Sequence, residues 1–288
     1  DVVVVLTPSG LHAEHVINLS KYGKHLMVEK PMALTVEDTE NMIYACDVNN
    51  IKLFIIKQNR FNVPVVKLRE ALDAGRFGKL TLGTVRVRWA RHQAYYDQDS
   101  WRGTWAMDGG VLTNQASHHV DMLEWMMGDV ESVFAKMTTA LADVETEDTA
   151  IVTLKFKNGA LGIIEATTAT RPTNLEGSIS ILGEHGTVVV GGVAVNEMQT
   201  WVFEDEQDGD SSVLKEFSVN PPNVYGFGHQ AYYEHVVDCV ESGSANLVDG
   251  LQGRKSIELI SAIYESAETG KEIFLKFEPK YCRLGRKS

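Results

Sequence analysis

The chain opens on Asp1-Val-Val-Val-Val-Leu6, an unbroken β-branched run closed by Thr7-Pro8-Ser9-Gly10. A short run with no polar alternation reads as a strand buried on both faces, as in a parallel sheet. Over residues 12–24 the apolar side chains Val16, Ile17 and Leu19 fall at helical spacing. Residues 25–28, His-Leu-Met-Val, form a second strand pattern ended by Glu29-Lys30-Pro31. Thr35, with Asp38 three residues on, starts another helix as an approximate capping box, and residues 51–56 are a third apolar strand. Alternating strands and helices are the order of a doubly wound parallel sheet. Such a sheet would carry a further βαβαβ half of roughly 60–75 residues ahead of this strand. Residues 1–61 are therefore expected to form a partial doubly wound Rossmann domain, its first half missing from this sequence.

The pattern changes after Phe61. Residues 65–75 read as a helix closed by Gly75. Residues 80–89 alternate strictly, with Leu82, Thr84, Arg86 and Arg88 on one face and Gly83, Val85, Val87 and Trp89 on the other. A helix is expected over about 110–127. Six strand patterns follow, at 132–141, 149–157, 161–170, 176–182, 187–191 and 199–204, with hairpin turns at Lys157-Asn158-Gly159 and Leu182-Gly-Glu-His-Gly186. Two helices, about 228–243 and 251–270, and a last strand at 273–277 end the sequence. The polar stretch 205–212 reads as a mobile loop. Residues 62–288 thus form a second α/β domain with a large, mostly antiparallel open sheet.

A length of 288 residues suits two packed domains. The formal net charge of -12 argues against nucleic acid or an anionic membrane as a partner. No apolar run approaches the ~20 residues of a membrane helix, and no leader-like segment opens the sequence. Cys46, Cys239 and Cys282 are odd in number and far apart. That spacing makes neither a disulfide framework nor a zinc site, and it fits a reducing, cytoplasmic setting.

The candidate chemistry is local. Lys30 ends a buried parallel strand, where ligands of open α/β sheets bind, although a plain surface strand end has the same pattern. Asn114 and His118 are four apart on the expected 110–127 helix, and Asp121 and Trp125 continue that face. Leu112, His119, Leu123 and Met127 lie away from it and can pack inside. His118 is then either a functional imidazole or a core histidine satisfied by Asp121. Metal is not expected, because no second histidine sits at i+4 and no cysteine is near. Positive charge gathers in Lys57, Arg60, Arg86, Arg88, Arg91 and Arg102, as an anion site or as solvated charge on strands. Gly226-Phe-Gly228-His-Gln-Ala231 has the form of a dinucleotide fingerprint, but no strand precedes it, so it reads as a glycine-rich helix entry.

Taken in order, Thr7-Pro8-Ser9…His12, Glu29-Lys30-Pro31, Gln58-Asn59-Arg60-Phe61, Trp101-Arg102, Gly109-Gly110…Asn114…His118…Asp121, Leu247-Val-Asp-Gly250 and Ala262-Ile-Tyr-Glu-Ser266 resemble the Gfo/Idh/MocA oxidoreductases over nearly the whole chain. The resemblance implies a nicotinamide-binding Rossmann domain followed by an α/β domain whose open sheet serves oligomer contacts, as a dimer or tetramer. It implies NAD as cofactor, with NADP not excluded. Thr7, Pro8, Ser9, His12 and Glu29 would line the cofactor, with Trp101 and Arg102 toward its nicotinamide end. Lys30 would lie between cofactor and substrate, and His118 would be the acid/base. Asn59, Arg60, Arg91 and Tyr225 would join Lys30, Asn114 and His118 around the sugar. Many members carry aspartate where this chain has Asn114, and an amide can orient but cannot take a proton. The string Asn114-Gln-Ala-Ser-His-His-Val-Asp121 is most similar to the branch that oxidises the 3-hydroxyl of UDP-linked N-acetylglucosaminuronate for cell-surface polysaccharides. Dehydrogenation of a free sugar or polyol, and non-catalytic ligand sensing on the same fold, are the alternatives.

Overall fold

The computed structural model describes residues 1–219, 221 and 226–276. The first three strands, β1 (Val2–Val5), β2 (His25–Val28) and β3 (Leu53–Ile55), form one parallel sheet in that order. The two crossovers are α1 (His12–Ser20) and α2 (Val36–Val48). Thr35 caps α2 as its sequence suggests, its hydroxyl oxygen accepting the Asp38 N–H at 3.1 Å. Leu26, Val28, Phe54 and Ile55 are sealed from solvent, as strands covered by helices should be.

The chain then turns through a 3₁₀ segment (Gln58–Phe61) into α3 (Val63–Asp73) and the second sheet. Its strands are β4 (Leu80–Arg88), β5 (Val130–Thr138), β6 (Thr149–Phe156), β7 (Leu161–Thr167), β8 (Glu176–Gly183), β9 (Gly186–Gly191), β10 (Glu197–Phe203) and β11 (Ile273–Phe274). They lie in the order β10-β9-β8-β4-β7-β6-β5-β11, and only the β4–β7 pair is parallel. The helices of this region are α4 (Gln93–Tyr96), α5 (Ser117–Met127), α6 (Asp210–Glu216), α7 (Gly228–Glu241) and α8 (Gly250–Thr269). The sheet is large and mostly antiparallel, as its alternating pattern implied. Helix α5 lies on β4 and β8 so closely that a Cβ at Gly83 would stand 2.6 Å from Met127 Cγ. The other sheet face is open. It shows Phe134, Ile151, Leu161 and Ile163 among ion pairs of Arg86 and Arg88 with Glu165 and Glu176.

The late helices cross back onto the first sheet. Tyr232, Val236 and Cys239 of α7, with Val248 and Ile257, belong to the same apolar core as β1–β3. The Tyr232 hydroxyl donates to the Ile55 carbonyl at 2.8 Å. The fingerprint-like glycines at the start of α7 have a packing reason. A Cβ at Gly228 would meet the Gln58 carbonyl oxygen at 2.1 Å.

Three local expectations need correction. The helix expected from 110 starts at Ser117, and residues before it form turns. The stretch 205–212 is not a free loop. It leads into α6, where Asp210 takes both Nη1 (2.9 Å) and Nη2 (2.6 Å) of Arg76 and also the Trp201 indole N–H (2.6 Å). Buried anchors of that kind are invisible in local polarity. The first long helix ends at Ser20, short of Lys24. Tyr225, Phe277 and Cys282 lie outside the described residues.

Candidate active site

The carboxyl ends of β1 and β2 face the turns that precede α5. Gly10 donates to the Met107 carbonyl at 3.0 Å, and a Cβ there would come 2.8 Å from the Ala106 oxygen. This close approach brings residues 101–116 against the strand ends. Lys30 reaches across the join. Its ammonium donates to the Asn114 carbonyl at 2.8 Å and to Asn114 Oδ1 at 3.2 Å. Asn114 Nδ2 donates in turn to Asp108 Oδ1 at 2.6 Å, and Asp108 Oδ2 accepts the Gly103 N–H at 2.8 Å. The amide is thereby fixed with its oxygen toward Lys30. Asp108 is 1% exposed, and no sequence motif pointed to it.

Lys30, Ser117, His118 and Asp121 line one small cavity with Lys57 and Ser256. Burial pushes the Lys30 amine below its ordinary pKa, Glu29 and Asp108 oppose this, and Arg102 and Arg91 add to it. His118 lies well below the usual imidazole range, first through burial and then through the Lys30 charge. Its ordinary value near 6.5 does not hold here. The imidazole is nonetheless neutral at pH 7, as a general base requires.

His118 is not the core histidine that Asp121 might have satisfied. Asp121 is fully engaged elsewhere. Its Oδ2 accepts Arg60 Nε at 2.7 Å, and its Oδ1 accepts Arg60 Nη2 at 2.7 Å, the Ser256 hydroxyl at 2.9 Å and the Lys57 ammonium. Burial alone would raise the Asp121 pKa, but Arg60 and Lys57 hold it well below the carboxylate range. The core histidine is its neighbour. His119 is sealed against the Trp89 ring, and burial pushes it down to about 3.

The expected cluster of positive charge divides three ways. Arg86 and Arg88 lie on the open sheet face, paired with Glu165 and Glu176. Arg60, expected at the sugar, is 3% exposed and spent on Asp121 and Gln252, with its guanidinium 4.8 Å from the Trp125 ring. Asn59 is buried in the same 3₁₀ turn. Arg91 and Arg102 remain near Lys30. Arg102 stacks on Tyr95 and Trp101 and pairs with Asp99. Arg91 lies over the Trp89 and Tyr95 rings, bonded to Asn174 and the Ala90 carbonyl. Arg171, which sequence reasoning passed over, donates to the Arg91 carbonyl at 3.2 Å. Neither Arg91 nor Arg171 has an acidic partner among the described residues.

On the first-domain side, Thr7, Pro8, Glu29 and Lys30 are half-buried at the strand ends, and Trp101 and Arg102 are half-buried opposite. Dinucleotides bind in the crevice at the carboxyl ends of the parallel strands of open α/β sheets, where Thr7, Pro8, Glu29 and Lys30 stand. Ser9 is buried at the helix entry. His12 corrects one expectation. Its ring is 1% exposed and bridges the Thr7 and Pro31 carbonyls at 2.8 Å each. It ties the two strand-end turns together rather than lining the crevice itself.

Residues 1–56 match the oxidoreductase-family NAD-binding Rossmann fold, and residues 69–275 match the oxidoreductase-family C-terminal alpha/beta domain. The chain belongs to the Gfo/Idh/MocA oxidoreductase family. As a Gfo/Idh/MocA protein it is an NAD(P)-dependent enzyme. The WlbA dehydrogenase from Bordetella pertussis, solved with NADH and UDP-GlcNAcA, is 45% identical, with a TM-score of 0.92 over 96% of this chain and 80% of that one. The WlbA dehydrogenase from Chromobacterium violaceum, also with NADH and UDP-GlcNAcA, is 45% identical, with a TM-score of 0.91 over 97% of this chain and 79% of that one. The myo-inositol 2-dehydrogenase of Thermotoga maritima is 29% identical over 96% of this chain and 80% of its own length. Among the described residues, no helix is long and apolar enough to cross a membrane, and no acidic, histidine or cysteine cluster could hold a metal ion.

Proposed function

We propose that this enzyme oxidises the 3-hydroxyl of a UDP-linked N-acetylhexosaminuronic acid, with NAD as the hydride acceptor. The observation that carries the proposal is the shared cavity of Lys30 and His118, with Asn114 locked beside them. When bound, the nicotinamide takes up hydride from the ring carbon. The hydroxyl on that carbon must lose its proton as the hydride leaves. Neutral His118 accepts that proton. Lys30 donates to the hydroxyl oxygen and stabilises the growing negative charge. Asn114 cannot take a proton, so it holds Lys30 in place. Thr7, Pro8, Ser9, Glu29, Trp101 and Arg102 would hold the cofactor.

The choice of an anionic, nucleotide-linked sugar is supported by two findings. One is the 45% identity to proteins solved with UDP-GlcNAcA. The other is the pair Arg91 and Arg171, adjacent and without acidic partners among the described residues. Each charge-assisted bond to phosphate or carboxylate adds about 1.5–3 kcal/mol. By the same reading the enzyme serves cell-surface polysaccharide biosynthesis in the cytoplasm and assembles as a dimer or tetramer through its open sheet face. The test is kcat/KM measured side by side on UDP-N-acetylglucosaminuronate, myo-inositol and glucose. The nucleotide sugar should lead by orders of magnitude. Equal turnover of a free sugar would move the enzyme to the polyol branch of the family.

A further inference from the structure

Glu147 lies just ahead of β6 and is 3% exposed. From there it holds the turn that carries Asn114. Its carbonyl accepts the Val111 N–H at 3.0 Å, and its Oε1 accepts the Leu112 N–H at 2.9 Å and the Tyr264 hydroxyl at 3.0 Å. Tyr264, on α8, accepts the Gly110 N–H at 3.2 Å and lies 2.8 Å from Thr113 Oγ1. Residues 110–113 therefore hang from the Glu147 carbonyl, its carboxylate and one phenol, and the next residue grips Lys30. The other oxygen, Oε2, is buried with no hydrogen-bond partner among the described residues. It packs against Gly110, where a Cβ would come within 2.1 Å of it.

Burial, joined by the Asp148 charge, pushes the Glu147 carboxyl up to about 7, against the Leu112 N–H and the Tyr264 hydroxyl. Tyr264 faces it from α8, its own pKa raised well above the usual phenol range by burial and by Glu147. Ionised, Glu147 only accepts hydrogen bonds. Protonated at Oε1, it would donate to the Tyr264 oxygen, which reverses that bond. The two states do not hold the turn alike.

We propose that Glu147 is a positioning residue for the hydride-transfer reaction: ionised, it holds the 110–114 turn so that Asn114 presents the Lys30 ammonium to the sugar, and protonated, it loosens that turn. The proposal rests on the reading of Lys30 and Asn114 given above. It is tested on the full-length enzyme by kcat–pH profiles of wild type, Glu147→Gln, Tyr264→Phe and Lys30→Met. Wild type should show an acidic limb near the Glu147 value of about 7. Glu147→Gln should lose that limb and roughly tenfold in kcat, with a nearly unchanged KM for the sugar. Tyr264→Phe removes a bond that lowers the Glu147 pKa, so its limb should move to higher pH. This variant carries the test alone if Glu147→Gln does not fold. A folded Glu147→Gln enzyme with the wild-type limb, or an unmoved limb in Tyr264→Phe, overturns the proposal. Near-normal kcat in Lys30→Met would instead overturn the reading of the site. An inactive Lys30→Met beside a normal Glu147→Gln rejects the role of Glu147 only.

Discussion

Two buried clusters of charge lie back to back in this molecule, sharing the wall of one small cavity, and they are built on opposite principles. In the first, Asp121 accepts from Lys57, Arg60 and Ser256, and Gln252 accepts from both cations, so that every ion has partners. In the second, among the described residues the Lys30 ammonium has only the amide and carbonyl oxygens of Asn114, and Asp108 stands one residue behind. Full compensation locks geometry, because breaking such a pair strands a charge in low dielectric. Partial compensation leaves Lys30 and His118 displaced from their ordinary pKa values and able to exchange bonds with a substrate. On the proposed mechanism, residues of the same chemical type are scaffold in one cluster and reactants in the other. The α5 helix carries both, with His118 facing one and Asp121 the other.

The sharpest way to break this contrast is to remove the reactant. His118→Asn should lower kcat by about 10²–10⁴ while leaving cofactor affinity nearly unchanged. Turnover is followed by nicotinamide absorbance, and affinity by titration. Because burial and Lys30 hold the imidazole well below its usual range, its own protonation should not limit wild-type turnover at neutral pH. A variant with near-normal kcat would make His118 structural and leave Lys30, itself lowered by burial, as the base.

The scaffold cluster should respond in stability. Asp121→Ala leaves Lys57 and Arg60 buried without their carboxylate and should cost about 3–5 kcal/mol in denaturant unfolding. The sign of its pH dependence follows from the lowered pKa. The stability Asp121 contributes is present above the unfolded-state pKa and is lost as pH falls through the lower folded value. A loss below 1 kcal/mol would mean that the ions are better solvated than the structure shows.

The smallest effect is expected where the sequence had suggested function. Arg88 pairs with Glu165 and Glu176 on the open sheet face, about a third exposed. Surface pairs of this kind contribute about 0–1 kcal/mol. Arg88→Gln should leave kcat and KM within about twofold and shift stability by less than that amount. A large rise in the sugar KM would return Arg88 to the substrate site and blur the distinction drawn here.

Much of this was legible without coordinates, because it depends on neighbours in sequence. The β-branched runs at 2–5 and 25–28, the capping threonine at 35 and the alternation of β4 each encode a local shape that survives packing. The place of Lys30 at the end of a buried parallel strand was legible too, but whether it faces a ligand or solvent was not. The helix start at Ser117 was not legible, because the turns before it are held by Glu147 and Tyr264, from remote parts of the chain. Nor could spacing show which arginines meet glutamates across β7 and β8, which one meets Asp121, and which are left free. A cation's role is set by the charge brought beside it, and in this fold those charges arrive through sheet register and through helices that cross between two cores. Sequence alone therefore determined the elements and the family of chemistry. The tertiary structure alone decided which charges are paired off, and so which residues remain to react.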